Sequence, residues 1–231
     1  MTAISNAAAL PLAPVRRPRL LRPPGVYRPQ HDTWMLASAL STSGMPAGAR
    51  VLDLCTGTGA LALAAAAHGA GSVTAVDISR RALAAVWVNS RLRGLAVRPL
   101  RGGLAEAVRG GPFDVVLANP PYVPSPVPAA GAARAWDAGP DGRIVLDQVC
   151  AGASSLVAPG GYLMMVHSAV ADPGKSLEQL RAAGTTPSVV ATRSIPFGPV
   201  MRERAAFLQA AGLIGAEQRH EELVVIRADR P

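Results

Sequence analysis

The chain has 231 residues, of which 49% are hydrophobic and 16% charged, with a net charge of +8. This balance excludes global disorder and fits one α/β domain, because such folds often stay single above the usual ~100–200 residues. The longest smooth apolar run, residues 61–67, is well short of the ~20 residues that cross a bilayer, which predicts no membrane span. Cys55 and Cys150 have no metal-ligating residues beside them, so we expect no disulfide, no metal site and a cytoplasmic location.

The positive charge is concentrated at the beginning of the chain. Residues 1–31 contain five arginines and no acid and contribute +5, whereas the other 18 bases and 15 acids contribute only +3. Six prolines in the same stretch disfavour a helix. We therefore predict a flexible basic extension over residues 1–24 and one folded domain over residues 25–231. The extension is interpreted either as an ordinary arm or as a segment that binds nucleic acid.

From residue 50 onward, short strand-like runs alternate with alanine-rich helical stretches, which is typical of a parallel sheet covered on both faces. The predicted strands are 51–55, 72–76, 96–100, 114–118, 161–166, 188–192 and 223–227. The predicted helices are 61–68, 79–92, 144–156, 174–182 and 201–211. Residues 197–204 are interpreted either as a lip over a substrate entrance or, for Arg202 and Arg204, as a solvated face of the last helix, and the second interpretation is favoured. Residues 120–143 are proline-rich and have no period, and a long irregular segment of this kind predicts a functional loop.

The first predicted strand runs into a glycine turn, Gly57-x-Gly59, and then into a helix. Glycine permits a tight turn and lets the backbone approach a ligand closely at the carboxyl end of the sheet. Asp77 follows 20 residues after Gly57 at the end of the second strand, where its carboxylate can accept hydrogen bonds from ribose hydroxyls. These features indicate an adenosine-containing cofactor, either NAD or S-adenosylmethionine. Asp53, four residues before Gly57, favours S-adenosylmethionine, because a carboxylate suits its cationic methionine end better than a pyrophosphate. The alternative for Asp53 is an acid that caps local backbone amides.

The fourth predicted strand ends in Asn119-Pro120-Pro121-Tyr122. An amide or aromatic amino nitrogen is a weak nucleophile, because conjugation withdraws its lone pair. Acceptors that hold its hydrogens during transfer, such as the Asn119 amide oxygen and the Pro120 carbonyl oxygen, help it to become tetrahedral. Proline at positions 120 and 121 fixes φ and so pre-aims these acceptors, while Tyr122 can pack against a flat target group. The motif therefore predicts methylation of a planar nitrogen.

Together these residues resemble the class I S-adenosylmethionine methyltransferases of the HemK type, which modify the glutamine of the GGQ motif in release factors. The segment Val26–Leu36 is similar to V-Y-x-P-x-E-D-T-x-x-L of the short eukaryotic and archaeal branch. The resemblance implies a Rossmann-like α/β sandwich with a seven-stranded, mostly parallel sheet whose last strand is antiparallel. It also implies a donor site that includes Thr33, Cys55 and Leu104, a release factor as protein substrate and a small zinc-binding activator protein as a possible partner.

The chain departs from this family pattern at three positions. His31 stands where that branch has glutamate, and Cys55 where many members have glycine. Gly103 stands where the family usually has an aspartate that contacts the adenine amino group. Loss of one hydrogen bond to a charged group costs ~1.5–3 kcal/mol, which predicts weaker donor binding.

Two other functions remain open from the sequence. An adenine-amino methyltransferase on DNA or RNA uses the same acceptor geometry, although duplex DNA requires base flipping and a recognition region. A catalytically decayed methyltransferase fold that serves as a binding protein would explain Gly103, but it leaves Asn119 and Asp77 unexplained.

Overall fold

The computed structural model describes residues 12–128 and 130–231, which form a seven-stranded sheet between two layers of helices. The strands are β1 Arg50–Leu54, β2 Ser72–Asp77, β3 Arg98–Arg101, β4 Phe113–Ala118, β5 Val157–Ser168, β6 Thr186–Pro196 and β7 His220–Asp229. The helices are α1 His31–Ser43, α2 Ala60–Ala67, α3 Arg80–Arg91, α4 Leu104–Gly110, α5 Ile144–Leu156, α6 Pro173–Ala182, α7 Pro199–Glu203 and α8 Ala205–Ala210. Two 3₁₀ helices cover Gly131–Ala135 and Ala169–Ala171.

The strand order is β3-β2-β1-β4-β5-β7-β6, and β7 runs antiparallel to both of its neighbours. Strands β2 and β3 are added on one side of β1 and β4 and β5 on the other, so the strand order reverses between β1 and β4. These strands are parallel, and the carboxyl ends of β1, β2 and β4 meet at one edge of the sheet. Ligands bind at this kind of switch point in open α/β sheets. The predicted mostly parallel sheet with an antiparallel last strand is confirmed.

Two apolar clusters cover the two faces of the sheet. Side chains of α1, α2 and α3 pack on one face, and side chains of α4, α5 and α6 pack on the other. The central strands are buried on both faces, which explains why their sequences are almost continuously apolar. The two layers hold the carboxyl edge of the sheet rigidly.

All seven predicted strands are present, but the predicted helices are incomplete. The sequence prediction omitted α1 and α4, and the predicted helix 201–211 is two short helices that meet at Arg204. Helix α1 lacks a periodic apolar stripe because it is buried on most of its surface. Helix α4 begins directly after Gly102 and Gly103, residues that favour a loop.

The described part of the N-terminal extension lies against the domain. Leu12 and Val15 pack against the first apolar cluster, and Leu21 exchanges two hydrogen bonds with the side chain of Asn89 on α3, at 2.8 and 3.0 Å. Within the predicted flexible extension of residues 1–24, the residues from 12 onward thus include several that contact the domain. Residues 1–11 lie outside the described residues. The boundary at residue 25 remains a prediction.

Candidate active site

A cavity of about 990 Å³ opens at the carboxyl edge of the central strands. The segments after β1, β2, β3 and β4 line it, and so do most of residues 22–33. We call residues 21–33 the strap. Ligand pockets usually measure ~300–1,000 Å³. The cavity therefore has room for a nucleoside-sized ligand and for a second reacting group.

The turn after β1 has a left-handed backbone at Cys55, Gly57 and Gly59, with φ values of 61°, 55° and 85°. Gly59 is also limited by space, because a Cβ atom there would lie 3.2 Å from Cγ2 of Val86 on α3. Cys55 and Gly57 line the cavity, while Gly59 supports the turn from behind. The φ value at Cys55 also explains why glycine suits this position.

Asp53 lies below the turn and does not line the cavity. Its carboxylate is fully buried, and Oδ2 accepts hydrogen bonds from the Thr56 hydroxyl and, at 2.9 Å, from the Ala62 N–H. Burial raises the pKa of Asp53 to about 7. Its Oδ1 has no hydrogen-bond partner among the described residues, and the expected contact with the methionine end of the donor stays a prediction. The carboxylate caps the turn and the first turn of α2, which is the alternative that the sequence had left open.

Asp77 ends β2 and lines the cavity beside the glycine turn. Its Oδ2 accepts from the Gly57 N–H and its Oδ1 from the Ser79 N–H, both at 2.9 Å. Because a carboxylate oxygen has two lone pairs, each oxygen retains a free acceptor position for a ligand hydroxyl. Burial raises the pKa of this carboxyl, and the backbone N–H groups oppose that shift.

The segment after β3 forms the end of the cavity farther along the sheet edge. Gly103 and Leu104 both line the cavity, and Leu104 also packs on the second apolar cluster. The Gly103 N–H donates to Glu106 at 2.8 Å, and Glu106 is paired with Arg109. Glu106 is therefore bonded to groups at the beginning of α4. It does not take the place of the aspartate that the family usually has at position 103.

The four residues Asn119–Tyr122, which we call the NPPY segment, follow β4 and line the same cavity. The Asn119 side chain donates from Nδ2 to the Thr33 hydroxyl at 3.1 Å. No described residue donates to the Asn119 amide oxygen or to the Pro120 carbonyl oxygen. Two acceptor atoms without a described donor therefore belong to residues that line the same cavity as Asp77.

Asp32, at the beginning of α1, is a buried site residue that the sequence analysis did not single out. It is 3% exposed and accepts hydrogen bonds from the hydroxyls of Tyr27, Thr33 and Tyr122. Its only signal in the sequence was its place in the segment Val26–Leu36. Burial raises the pKa of Tyr27 and Tyr122 well above the usual value, so both phenols remain protonated donors.

The predicted functional loop, residues 120–143, folds back beside the NPPY segment and forms one wall of the cavity. Val123 and Trp136 join its two sides through a hydrogen bond of 2.8 Å. Asp137 in this loop forms a buried ion pair with Arg204, which also donates to the Pro124 carbonyl at 3.0 Å. The interpretation of Arg204 as part of a solvated helix face is wrong, because this cation fixes the loop to the segment between β6 and β7.

The strap is tied to the glycine turn through Asn89. This fully buried side chain holds Leu21 on one side and donates to the Thr58 carbonyl at 3.0 Å on the other. Arg81 donates to the Pro24 carbonyl at 3.3 Å. The polarity of Asn89 within α3 was the one sign of this role in the sequence.

Two further observations concern the described residues as a group. No three of their His, Cys, Asp or Glu side chains are placed to hold a metal ion. No helix among them is long and apolar enough to span a membrane.

The chain is similar to known proteins in sequence and in structure. Residues 19–186 match the model of the family described as "Methyltransferase small domain". A release factor glutamine methyltransferase of Deinococcus radiodurans is 37% identical over 167 residues, which cover 69% of this chain and 59% of that protein. A putative protein N5-glutamine methyltransferase of Methanocaldococcus jannaschii is 29% identical, with 77% of this chain and 90% of that protein covered. This chain thus spans less than two thirds of the Deinococcus relative.

The similar solved structures include the Mtq2–Trm112 complex of E. cuniculi, described as responsible for methylation of the translation termination factor eRF1. The similarity has a TM-score of 0.58 at 23% identity and covers 90% of this chain and 99% of the matched chain. At this identity the similarity establishes the fold, which is that of class I S-adenosylmethionine methyltransferases. Because the family model matches well over half of the residues, the chain belongs to the methyltransferase small domain family.

Proposed function

We propose that this protein transfers a methyl group from S-adenosylmethionine to the side-chain amide nitrogen of a glutamine in a protein. The proposed acceptor is the GGQ glutamine of a peptide-chain release factor. The observation that carries this proposal is the pair of free acceptor atoms on Asn119 and Pro120 in the cavity that Asp77 lines. The names of the Deinococcus and Methanocaldococcus relatives support the choice of a glutamine.

The residues present fit S-adenosylmethionine. The Asp77 carboxylate retains acceptor positions for ribose hydroxyls, and the glycine turn lets the backbone approach the ligand. Leu104 offers an apolar surface for a base. When bound, this donor would supply an electrophilic methyl carbon attached to a positively charged sulfur, and it would leave as S-adenosylhomocysteine while the methylated amide loses one N–H proton to solvent.

The acceptor end of the cavity suits an amide nitrogen. The Asn119 amide oxygen and the Pro120 carbonyl oxygen each accept one N–H of the substrate and thereby favour the pyramidal nitrogen of the transition state. Proline at 120 and 121 holds the backbone in one conformation, so little ordering remains when the substrate arrives. Tyr122 contributes an aromatic face whose hydroxyl is already engaged by Asp32.

The two halves of the proposal are tested by two substitutions. Asn119→Ala should leave the affinity for S-adenosylmethionine within a few-fold and abolish transfer, because the amide oxygen acts mainly in the transition state. Asp77→Ala should do the reverse and weaken donor binding by ~1.5–3 kcal/mol, the loss expected for a hydrogen bond to a charged group. Calorimetry and single-turnover kinetics measure the two effects. Equal losses of affinity and rate in Asn119→Ala would contradict the assigned role.

The acceptor is identified by labelling. Purified protein is incubated with isotope-labelled methyl donor, a release factor and total RNA, and the labelled residue is located by mass spectrometry. A release factor in which the GGQ glutamine is replaced by alanine is the matched control. Label on the glutamine of the wild-type factor supports the proposal, whereas label on adenine in RNA would replace it with the nucleic-acid function.

A small partner protein, such as a zinc-binding activator, belongs to the same proposal. The outer edge of β3 pairs with no other described strand, and the residues at its two ends, Arg98 and Arg101, are exposed. The similar E. cuniculi structure is a complex of two proteins, Mtq2 and Trm112, which supports an assembly of this kind. A nucleic-acid role for the basic arm remains a separate prediction. Co-purification from the native organism followed by mass spectrometry tests for the partner.

A further inference from the structure

The Asp32 carboxylate receives four hydrogen bonds although it is almost completely buried. Oδ1 accepts from the Thr33 N–H at 2.6 Å and from the Thr33 hydroxyl at 3.2 Å. Oδ2 accepts from the hydroxyl of Tyr27 at 2.7 Å and from that of Tyr122 at 3.1 Å. No described lysine or arginine forms an ion pair with it. The carboxylate is therefore the acceptor in all four hydrogen bonds, and each partner must use its hydrogen to donate to it.

The hydrogen bonds that Asp32 accepts fix which group donates and which accepts in the next bond, between Thr33 and Asn119. Oδ1 of Asp32 already accepts from the Thr33 N–H, and it also accepts from the Thr33 hydroxyl, so the single hydroxyl hydrogen of Thr33 points to Asp32. The Thr33 oxygen can then only accept from its other neighbour. The contact of 3.1 Å with Asn119 must therefore use the amide NH₂ as donor. The amide oxygen of Asn119 is consequently turned away from Thr33 and towards the cavity.

The opposite orientation of the amide is unfavourable on both sides. It would place the amide oxygen against the Thr33 oxygen, which has no hydrogen left to donate. It would also present the NH₂ of Asn119 to the N–H groups of the incoming substrate, donor against donor. One amide orientation alone satisfies both the protein and the acceptor nitrogen.

We propose that Asp32 and Thr33 are positioning residues that fix the Asn119 carboxamide with its oxygen towards the substrate nitrogen. The inference rests on the proposed function, since it assigns a use to the Asn119 oxygen. The same carboxylate orients the Tyr122 hydroxyl, so it controls both ends of the NPPY segment. Asn119 and Tyr122 lie 86 and 90 residues away in sequence from their partners in the strap. This role differs from the donor contact that the family resemblance implies for Thr33.

Three substitutions test the chain of hydrogen bonds. Thr33→Val keeps the shape but removes the hydroxyl, and we expect the single-turnover rate of methyl transfer to fall about ten-fold or more. Thr33→Ser keeps the hydroxyl and should stay within about three-fold of the wild-type rate by the same reasoning. Asp32→Asn can donate as well as accept, so it should lower the rate like Thr33→Val. Thr42→Val, on the same helix but bonded to Ser38 and Ala13, is the matched control and should keep the wild-type rate.

Affinity for S-adenosylhomocysteine separates positioning from donor contact. Positioning predicts an unchanged dissociation constant in Thr33→Val, with the loss confined to the rate. A dissociation constant that rises by the same factor as the rate falls would overturn the inference in favour of donor contact. A wild-type rate in Thr33→Val, or a loss in Thr33→Ser as large as in Thr33→Val, would also overturn it.

A spectroscopic measurement tests the geometry without any acceptor. In ¹⁵N-labelled protein bound to S-adenosylhomocysteine, the Asn119 side-chain NH₂ should exchange slowly with solvent in wild type and Thr33→Ser. It should exchange faster in Thr33→Val, and Asn119→Ala assigns the resonance. Equal exchange in all three would refute the positioning role. If wild type fails to methylate a release factor, the proposed function fails while this measurement still tests the network.

Discussion

We expect one substitution, at Gly103, to strengthen donor binding at the proposed site. Gly103 lines the cavity at the end where the family resemblance expects an aspartate for the adenine amino group. A Cβ atom added there would meet no other atom within 4 Å, and the φ of −121° is one that any residue adopts. Gly103→Asp should therefore introduce the carboxylate without steric cost.

The expected gain follows from one charge-assisted hydrogen bond. Such a bond contributes ~1.5–3 kcal/mol, which corresponds to roughly ten- to hundred-fold tighter binding of S-adenosylmethionine. The nearby Glu106 carboxylate opposes the new charge, but it is already engaged by the Gly103 N–H and by Arg109. We therefore expect a gain within this range, measured by calorimetry with S-adenosylhomocysteine.

Two controls separate base recognition from helix capping. Residue 103 is also the N-cap of α4, where aspartate stabilises a helix by itself. S-inosylhomocysteine lacks the amino group, so its affinity should not increase in Gly103→Asp. Gly103→Asn, which is neutral, should give a smaller gain. A higher melting temperature without tighter binding, or an equal gain for both ligands, would refute the assignment of this end of the cavity to adenine.

Two further predictions concern the packing around the site. Arg204→Met should lower the free energy of unfolding by about 3 kcal/mol in urea titrations, because the buried Asp137 carboxylate loses its partner, whereas Arg202→Met should change it little. Burial lowers the pKa of His167 to about 4, so the folded state keeps this ring neutral while the unfolded chain gains a proton below pH ~6.5. The His167 contribution to stability is thus complete above pH ~6.5 and should decrease by up to ~3 kcal/mol towards pH 4, a difference that His167→Gln removes. An identical pH dependence in His167→Gln would contradict the buried, neutral ring.

The sequence predicted the sheet well because the signals for strands were local. Each central strand is apolar on both faces, and the turn residues after it mark its end. Helix α1 was missed for the opposite reason, since a helix buried on most of its surface shows no amphipathic period. Residues 201–211 divide at Arg204, whose ion-pair partner Asp137 lies 67 residues away in sequence. A local pattern carries no information about such a partner.

The contrast between local sequence signals and contacts between distant residues also explains which site residues the sequence predicted. Gly57, Asp77 and Asn119 stand directly after strands, where topology brings them to one edge, and the cavity includes all three. Asp53 also stands in that pattern, but two donors from the turn and from α2 hold its carboxylate below the cavity floor. Burial and donor geometry decided that outcome, and neither is visible in residue spacing.

The strap connects the two ends of the cavity in one continuous segment. Its N-terminal side is fixed through Asn89 to the Thr58 carbonyl in the glycine turn, and its C-terminal side supplies Asp32 and Thr33 to the NPPY segment. A change in the conformation of this segment therefore alters the donor turn and the direction of the Asn119 amide together. One stretch of about a dozen residues, from Leu21 to Thr33, thus makes contacts towards both the glycine turn and the NPPY segment. These contacts predict a structural role in the site for the basic N-terminal segment, separate from any contribution of its charge.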